Sequence, residues 1–339
     1  MEKITFKNKC FVPDWMPDYK KVFRENANSF FEKIITSTPI FQGKEVELSY
    51  FQQGVGSIVS KVTLSSGEAY VIKTTERLNT TLAEIKSYEA MSDFGVKVPR
   101  VYKQGVIDGH PFFVMEYFDE GTLQDKLDKG EITIKEIAEI KSKVFVNLNK
   151  IPGKGYGWTV GYEDGVLRGN FSDIESFMDE WFGGEDVVDI ASKHYPSISW
   201  AEELQKRKDV IIKKTKSDET RLGSFDFQTA HFFATEPTTF FDSNPRLEPK
   251  YFDLAFALTP GADLSDNEFK LRKILVSKYE SEIGSIDREE MLRALWLQTF
   301  RKATNLLLRP DEKRTKLGLY MLGVLAERVE LEEYLKQYF

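Results

Sequence analysis

The stretch from residue 45 to residue 74 narrows the choice of fold more than any other part of the chain. EVELSYFQ (45–52), IVSKVTL (58–64) and EAYVIKT (68–74) are β-rich runs joined by the turn-bearing segments GVGS (54–57) and SSG (65–67). Short runs of this texture with Gly and Ser between them predict an antiparallel meander. A helix over about Thr81 to Phe94 follows, closed by Gly95, and VPRVY (98–102) and PFFVMEYF (111–118) supply two more strands around an IDGH turn (107–110). Past Gly121 the texture turns helical, with helices expected at 122–128, 134–150, 172–182, 200–216, 265–282, 287–307 and 312–337. The exception is 221–260, which mixes short aromatic-rich strands with turns. Residues 1–44 read as a leader, with a helix over Asp18 to Thr36 whose apolar side carries Phe23, Phe30 and Phe31. The order predicts an α+β chain of two lobes: a small antiparallel-sheet lobe over 45–118 and a mostly helical lobe over 119–339, with a cleft between them.

At 339 residues the chain is long enough for two such cores. Its net charge is −7, and between Gly161 and Ile190 nine acidic residues stand against one basic residue, Arg168. The negative charge of the whole chain therefore sits in that segment. A mildly acidic chain is a poor general binder of nucleic acid or anionic membranes, so neither is expected as a partner. The single cysteine, Cys10, excludes an intramolecular disulfide and fits a reducing compartment. The first twenty residues lack the apolar stretch of a secretory signal. The longest near-apolar run, Leu317 to Ala326, is ten residues, against the ~20 that a membrane span requires. A soluble, cytoplasmic protein is expected.

Two groups of residues could carry chemistry. The first is Gly54, Gly56 and Ser57 ahead of one strand, with Lys73 on the strand after it. Small residues let a backbone approach phosphates closely, and a strand lysine can reach α- and β-phosphate oxygens. Glycines in a hairpin are equally a plain turn, and a strand lysine is equally a solvated one. Lys73 shares a strand face with Val71, which places it beside an apolar residue. Glu84, eleven residues on, fits two jobs: partner of Lys73, or last member of a TLAE capping box (81–84). Glu89 is the second candidate partner. The other group lies in RLGSFDFQTAHFF (221–233), TTFFDSNP (238–245) and YFDLAFAL (251–258), where Asp226, Asp242 and Asp253 each follow an aromatic residue. Carboxylates among apolar neighbours need a partner, a metal or hydrogen bonds, although each alone also reads as a turn or cap. Beside Mg·ATP two carboxylates have separate jobs, one orienting the attacking hydroxyl and one holding the cation on the phosphates.

Taken in order, these motifs resemble the aminoglycoside phosphotransferase/choline kinase superfamily, which has a protein-kinase-like two-lobed fold, over roughly residues 45–330. The resemblance implies that Lys73, after Val71-Ile72, is the nucleotide lysine and that Glu84, with Val98-Pro99 following, is its helix partner. It implies that FFVMEYF (112–118) is the strand and hinge whose backbone, from Glu116 to Phe118, binds adenine ahead of GTL (121–123). The superfamily's His-Gly-Asp-x-x-x-x-Asn loop maps onto Ser224-Phe225-Asp226 and His231. Asp226 is then the catalytic residue, Asp242 the metal aspartate and Asp253, in YFDLA, a structural one. The implied activity is transfer of a phosphoryl group from ATP (or GTP) to a small-molecule hydroxyl with Mg²⁺.

This chain departs from the pattern twice. Ser224 stands where the superfamily has histidine, and His231 stands where it has the asparagine that ligates a cation. Mg²⁺ prefers oxygen ligands and imidazole suits Mn²⁺ or Zn²⁺, so His231 takes a different metal, serves a one-metal site or packs, and Gln228 offers an amide oxygen instead. The same departures suit a kinase-like nucleotide-binding or regulatory protein without transfer activity. A protein kinase proper fits less well, because its Asp-Phe-Gly motif follows the catalytic loop whereas Asp93-Phe94-Gly95 precedes the hinge strand. On the acceptor side, Asp179, Glu180, Glu185 and Asp186 fall in the lobe where the resemblance places the phosphate acceptor. Clustered carboxylates attract amines, which points to a cationic aminoglycoside-type antibiotic or amino alcohol; a solvated helix face is the alternative. GYGW (155–158) and the helix after it are also similar to hygromycin-type phosphotransferases.

Overall fold

A computed structural model describes residues 3–13, 16, 18–52, 56–75, 78–183, 185–215, 220–224, 227–261, 266–308 and 312–339. The chain opens with strand β1 (Ile4–Phe6) and helices α1 (Asp18–Glu25) and α2 (Ala27–Ser37). The single helix expected over 18–36 is thus two helices that meet at Asn26. The meander then forms as β2 (Val46–Tyr50), β3 (Ile58–Leu64) and β4 (Ala69–Thr74), followed by α3 (Leu78–Asp93), β5 (Val101–Ile107) and β6 (His110–Glu116). The sheet order is β1-β2-β3-β4-β6-β5, antiparallel except for the parallel β1–β2 pair.

Apolar residues at helical spacing explain where the first two helices sit. Phe30, Phe31, Ile34 and Ile35 of α2 are all at most 5% exposed and pack with Leu48, Val62, Ile72 and Val114 on one face of the sheet. Burying each such side chain contributes about 1.5–3 kcal/mol. The other face carries Val71, Phe113 and Met115, which pack with Ile85, Tyr88 and Met91 of α3. The leader is therefore part of the small lobe.

The second lobe begins at α4 (Leu123–Asp128) and α5 (Ile134–Lys150), each opened by a threonine capping box, Thr122 with Asp125 and Thr133 with Glu136. The expectation of helix alone fails next. Residues 152–171 form β7 (Pro152–Lys154), β8 (Tyr156–Glu163) and β9 (Val166–Phe171). Helices α6 (Ile174–Phe182), α7 (Glu185–His194) and α8 (Trp200–Lys214) follow, α7 being unforeseen. Strand β10 (Thr220–Ser224), the short hairpin β11 (Phe232–Phe233) and β12 (Thr239–Phe240), and β13 (Pro245–Pro249) come next. Strands β10, β13, β8, β9 and β7 close into a small barrel. Helices α9 (Phe252–Ala257), α10 (Asp266–Glu282), α11 (Arg288–Leu307), α12 (Glu312–Ala326) and α13 (Arg328–Lys336) complete the lobe, the last two replacing one helix expected over 312–337. Their core centres on Trp200, Leu295, Trp296 and Phe300. No helix among the described residues is long and apolar enough to cross a membrane.

Candidate active site

Strand β4 lies between β3 and β6, with Lys73 opposite Val59 on one side and Phe113 on the other. A lysine in a central strand is buried by its neighbours, and Lys73 is 6% exposed. An ammonium in that position requires counter-charge. Two carboxylates supply it. Glu84 of α3 accepts from Nζ at 3.0 Å through Oε1 and at 2.7 Å through Oε2, and Asp242 accepts at 2.5 Å through Oδ1. Burial pushes the Lys73 ammonium down; Asp242 and Glu84 outweigh it and hold the group above the ordinary lysine value.

The geometry decides between the two readings of Glu84. Helix α3 starts at Leu78, so Thr81 lies inside the first turn and is no cap, and Glu84 turns toward the sheet. Glu89, the other candidate, pairs with Lys86 instead. Four residues beyond Glu84, on the same helix face, Tyr88 donates its hydroxyl hydrogen to Glu84 Oε1 at 2.6 Å. The same hydroxyl accepts from the backbone N–H of Asp242 at 3.1 Å. The motifs do not point to Tyr88; the signal for it was its i+4 spacing from Glu84.

The β11–β12 hairpin brings the second lobe's residues together. His231 directly precedes β11 and Asp242 stands two residues after the end of β12, so the hairpin returns one to the other. The Phe241 N–H donates to the His231 carbonyl at 3.0 Å, and His231 Nε2 stands 3.8 Å from Asp242 Oδ2. The Asp242 side chain is 45% exposed, open to solvent on one side while tied to Lys73 on the other. Partial desolvation of that carboxyl acts upward; the Lys73 ammonium, with His231 behind it, outweighs this and lowers its pKa. Asp242 and Asn244 both have positive φ, 53° and 43°, an uncommon backbone region for residues other than glycine.

Ser224 has a definite place. Its hydroxyl donates to the Ser243 carbonyl at 2.5 Å and its N–H to Asp253 Oδ1 at 3.1 Å, tying the end of β10 to the segment after Asp242. Asp253 is 5% exposed and also accepts from Asn149 Nδ2 at 3.4 Å. Burial pushes its carboxyl up to about 7, with Ser224, Asn149 and Arg246 acting the other way. Asp226, two residues after Ser224, lies outside the described residues, as does Gly54. Gly56 and Ser57 are described: the Gly56 carbonyl accepts from Thr75 Oγ1 at 3.0 Å, and the Ser57 carbonyl from the Arg24 guanidinium at 2.9 Å. Arg24, 6% exposed, also donates to the Phe11 carbonyl at 2.9 Å, so a leader residue reaches the loop ahead of β3.

At the other end of the sheet, Glu116 closes β6 with its N–H on the Arg100 carbonyl, and Phe118 packs 4.9 Å from Phe233. The acidic residues lie elsewhere. Asp179 and Glu180 belong to α6, which packs on β8, β9 and α8. Asp179 pairs at 2.6 Å with Lys208 of α8, a lysine 4% exposed, so this carboxylate already has a cation. Glu185 and Asp186 start α7. Asp179, Glu180 and Asp186 are in no hydrogen-bond or ion-pair contact with Lys73, Glu84 or Asp242 among the described residues, and the Glu185 side chain lies outside what the structure describes.

No family model matches the sequence, and no curated protein matches it. Solved structures do. The aminoglycoside phosphotransferase APH(4)-Ia superposes with a TM-score of 0.62 at 12% identity, over 89% of this chain and 99% of that one. This is the aminoglycoside phosphotransferase fold. A complex of a thermostable APH(4)-Ia mutant with ADP and hygromycin B superposes at 0.61 and 11% identity, over 89% of this chain and 98% of that one. The streptomycin–ATP complex of APH(2")-IIa reaches 0.50 at 12%, over 87% and 95%. The phosphotransferase fold has a small sheet-bearing lobe and a helical lobe, and the expected protein-kinase-like architecture is the one observed.

Proposed function

We propose that this protein transfers the γ-phosphoryl group of a nucleoside triphosphate, ATP or GTP, to a hydroxyl of a small molecule. The observation that carries the reading is the Lys73 ammonium held at 2.7 Å by Glu84 and at 2.5 Å by Asp242. It joins an amine of the sheet lobe to an acid of the second lobe in one polar centre, which suits a phosphate chain and its counter-ion. The fold it shares with phosphotransferases captured with ADP or ATP supports the same reading.

Lys73 would hold the α- and β-phosphates, with Glu84 fixing its direction. The backbone around Gly54, Gly56 and Ser57 would cover the phosphates, and the backbone from Glu116 to Phe118 would meet the base. Asp242 and His231 are the residues that would hold a divalent cation: one carboxylate oxygen and one imidazole nitrogen, 3.8 Å apart. No group of three or more His, Cys, Asp or Glu is placed to hold a metal by itself among the described residues. Two protein donors suit a cation that takes its other ligands from phosphate oxygens and water. When bound, such a cation neutralises charge on the β- and γ-phosphates. Asp226 would orient the acceptor hydroxyl and take its proton as the new O–P bond forms. Catalysis of this kind rests on positioning and charge stabilisation rather than on covalent chemistry. For the acceptor, hydroxylated amines are the first class to try, given the acids at Asp179, Glu180, Glu185 and Asp186 and the neighbours solved with hygromycin B and streptomycin. The pairing of Asp179 with Lys208 makes it the weakest of the four.

His231 favours one rival reading, a nucleotide-binding protein without transfer. A thermal-shift titration with ATP plus Mg²⁺ or Mn²⁺, followed by an ADP-release assay over aminoglycosides and amino alcohols, separates the two. Stabilisation with ADP release supports the enzyme. Stabilisation without release on any acceptor supports the binding protein, and no stabilisation overturns both.

A further inference from the structure

We propose that the Tyr88 hydroxyl is a positioning group for the metal aspartate, a role that rests on the nucleotide-site reading above. The contacts form a closed circuit. The Asp242 carboxylate accepts from Lys73, Lys73 donates to Glu84, Glu84 accepts from Tyr88, and Tyr88 accepts from the N–H of Asp242 itself. A phenolic hydroxyl has one hydrogen to give and lone pairs to receive, and both are used here. Its hydrogen goes to Glu84 Oε1, and its oxygen receives the Asp242 amide. Tyr88 is 3% exposed, and its ring packs edge-on against Phe113 at 6.5 Å, so the hydroxyl cannot turn elsewhere without moving the ring.

The Asp242 backbone explains what this hydroxyl is for. With φ at 53° the residue sits in the left-handed region, where an L side chain is strained. Such a conformation persists when neighbouring contacts over-determine it. The Tyr88 contact to the amide of that same residue is one such contact, and it comes from the other lobe. When a cation takes the Asp242 carboxylate, the Lys73 link gives way, but the amide link does not involve the carboxylate. Tyr88 therefore holds the backbone in place while the side chain changes partners, and its hydroxyl serves the metal-dependent part of nucleotide binding.

Tyr88→Phe removes the hydroxyl and keeps the ring. Binding of ADP is measured by calorimetry on the full chain with EDTA and with saturating Mg²⁺ or Mn²⁺. The parent is expected to bind ADP more tightly with metal. The variant is expected to keep its metal-free affinity within about twofold and to lose about tenfold of the metal-dependent gain, the scale of one hydrogen bond in a charged setting. Phe113→Leu is the packing control. It is expected to lower the melting temperature and leave the metal-dependent gain intact. Equal metal-dependent gains in parent and Tyr88→Phe, or an equal loss of gain in Phe113→Leu, would overturn the role of the hydroxyl while leaving the nucleotide site standing. A parent that binds no ADP under either condition would overturn the nucleotide site and this role with it.

Discussion

Replacing Glu84 with glutamine removes one of two negative charges that hold Lys73 and preserves side-chain shape. The loss can be sized from inside the molecule. Lys141 of α5 is as buried as Lys73, 7% against 6% exposed, but its ammonium meets the Thr229 hydroxyl at 3.4 Å rather than a carboxylate. Burial pushes it down to about 8, with Glu268 acting weakly the other way. Lys73 instead stands above 10.5. The two carboxylates therefore outweigh a burial cost that, unopposed, takes a lysine well below its ordinary value. Two of the three Lys73–carboxylate contacts go to Glu84. Glu84→Gln should therefore cost about 2 kcal/mol, the scale of a hydrogen bond to a charged group, read by urea denaturation at pH 7. The sign with pH is also determined. A lysine raised in the folded state stabilises fully below its unfolded value, near 10.4, and loses that contribution as pH climbs through the folded value. The deficit should hold from pH 7 to about 9 and shrink only once pH passes the folded-state value of Lys73 in the variant, which loss of the Glu84 charge lowers. An unchanged denaturation curve at pH 7, or a deficit that grows as pH rises from 7 to about 10, would refute this account of the pair.

Three further outcomes are expected. Asp226→Ala should abolish phosphoryl transfer while leaving nucleotide affinity within about threefold, checked by ADP release beside calorimetry. His231→Asn should raise the Mg²⁺/Mn²⁺ activity ratio, since an amide oxygen suits Mg²⁺ better than an imidazole nitrogen; an unchanged ratio would leave His231 as packing. Stability should fall as pH rises from about 4 to about 7, because the folded state keeps a proton on Asp253 that the unfolded chain gives up. Burial raises Glu248 in the same direction, both of its carboxyl oxygens being enclosed without a hydrogen-bond partner. Melting temperature against pH reads the slope, and Asp253→Asn should flatten part of it.

The sheet lobe was legible because its local signals agree with its burial. Strand β3 occupies the predicted residues 58–64 and alternates buried and half-buried along its length. The barrel strands over 152–171 were not legible, and their glycines are the reason. A side chain at Gly169 would meet the Tyr156 backbone within 2.3–2.6 Å, so the close crossing of β8 and β9 requires a residue that weakens any strand signal. The helix breaks at Asn26 and Glu327 carry no Pro or Gly to announce them. In the site, the order Lys73, Glu84, Asp242 could be read from motifs. The residues around Glu84 alone left two readings open, which the resemblance settled towards pairing with Lys73 and the position of the α3 start separates in the structure. Tyr88 has no motif: its value lies in a hydrogen bond to a backbone 154 residues away.

The reach of Arg24 to the Ser57 carbonyl gives the first forty residues a consequence for anyone preparing shorter versions of this protein. A fragment trimmed to start at the meander would leave Phe31, Ile34 and Ile35 behind and uncover the sheet residues they shield, an oily surface prone to self-association. It would also free the Ser57 carbonyl, ahead of β3, from its Arg24 donor. Loss of solubility and a shift of the backbone ahead of β3 would then come together, and one could be mistaken for the cause of the other.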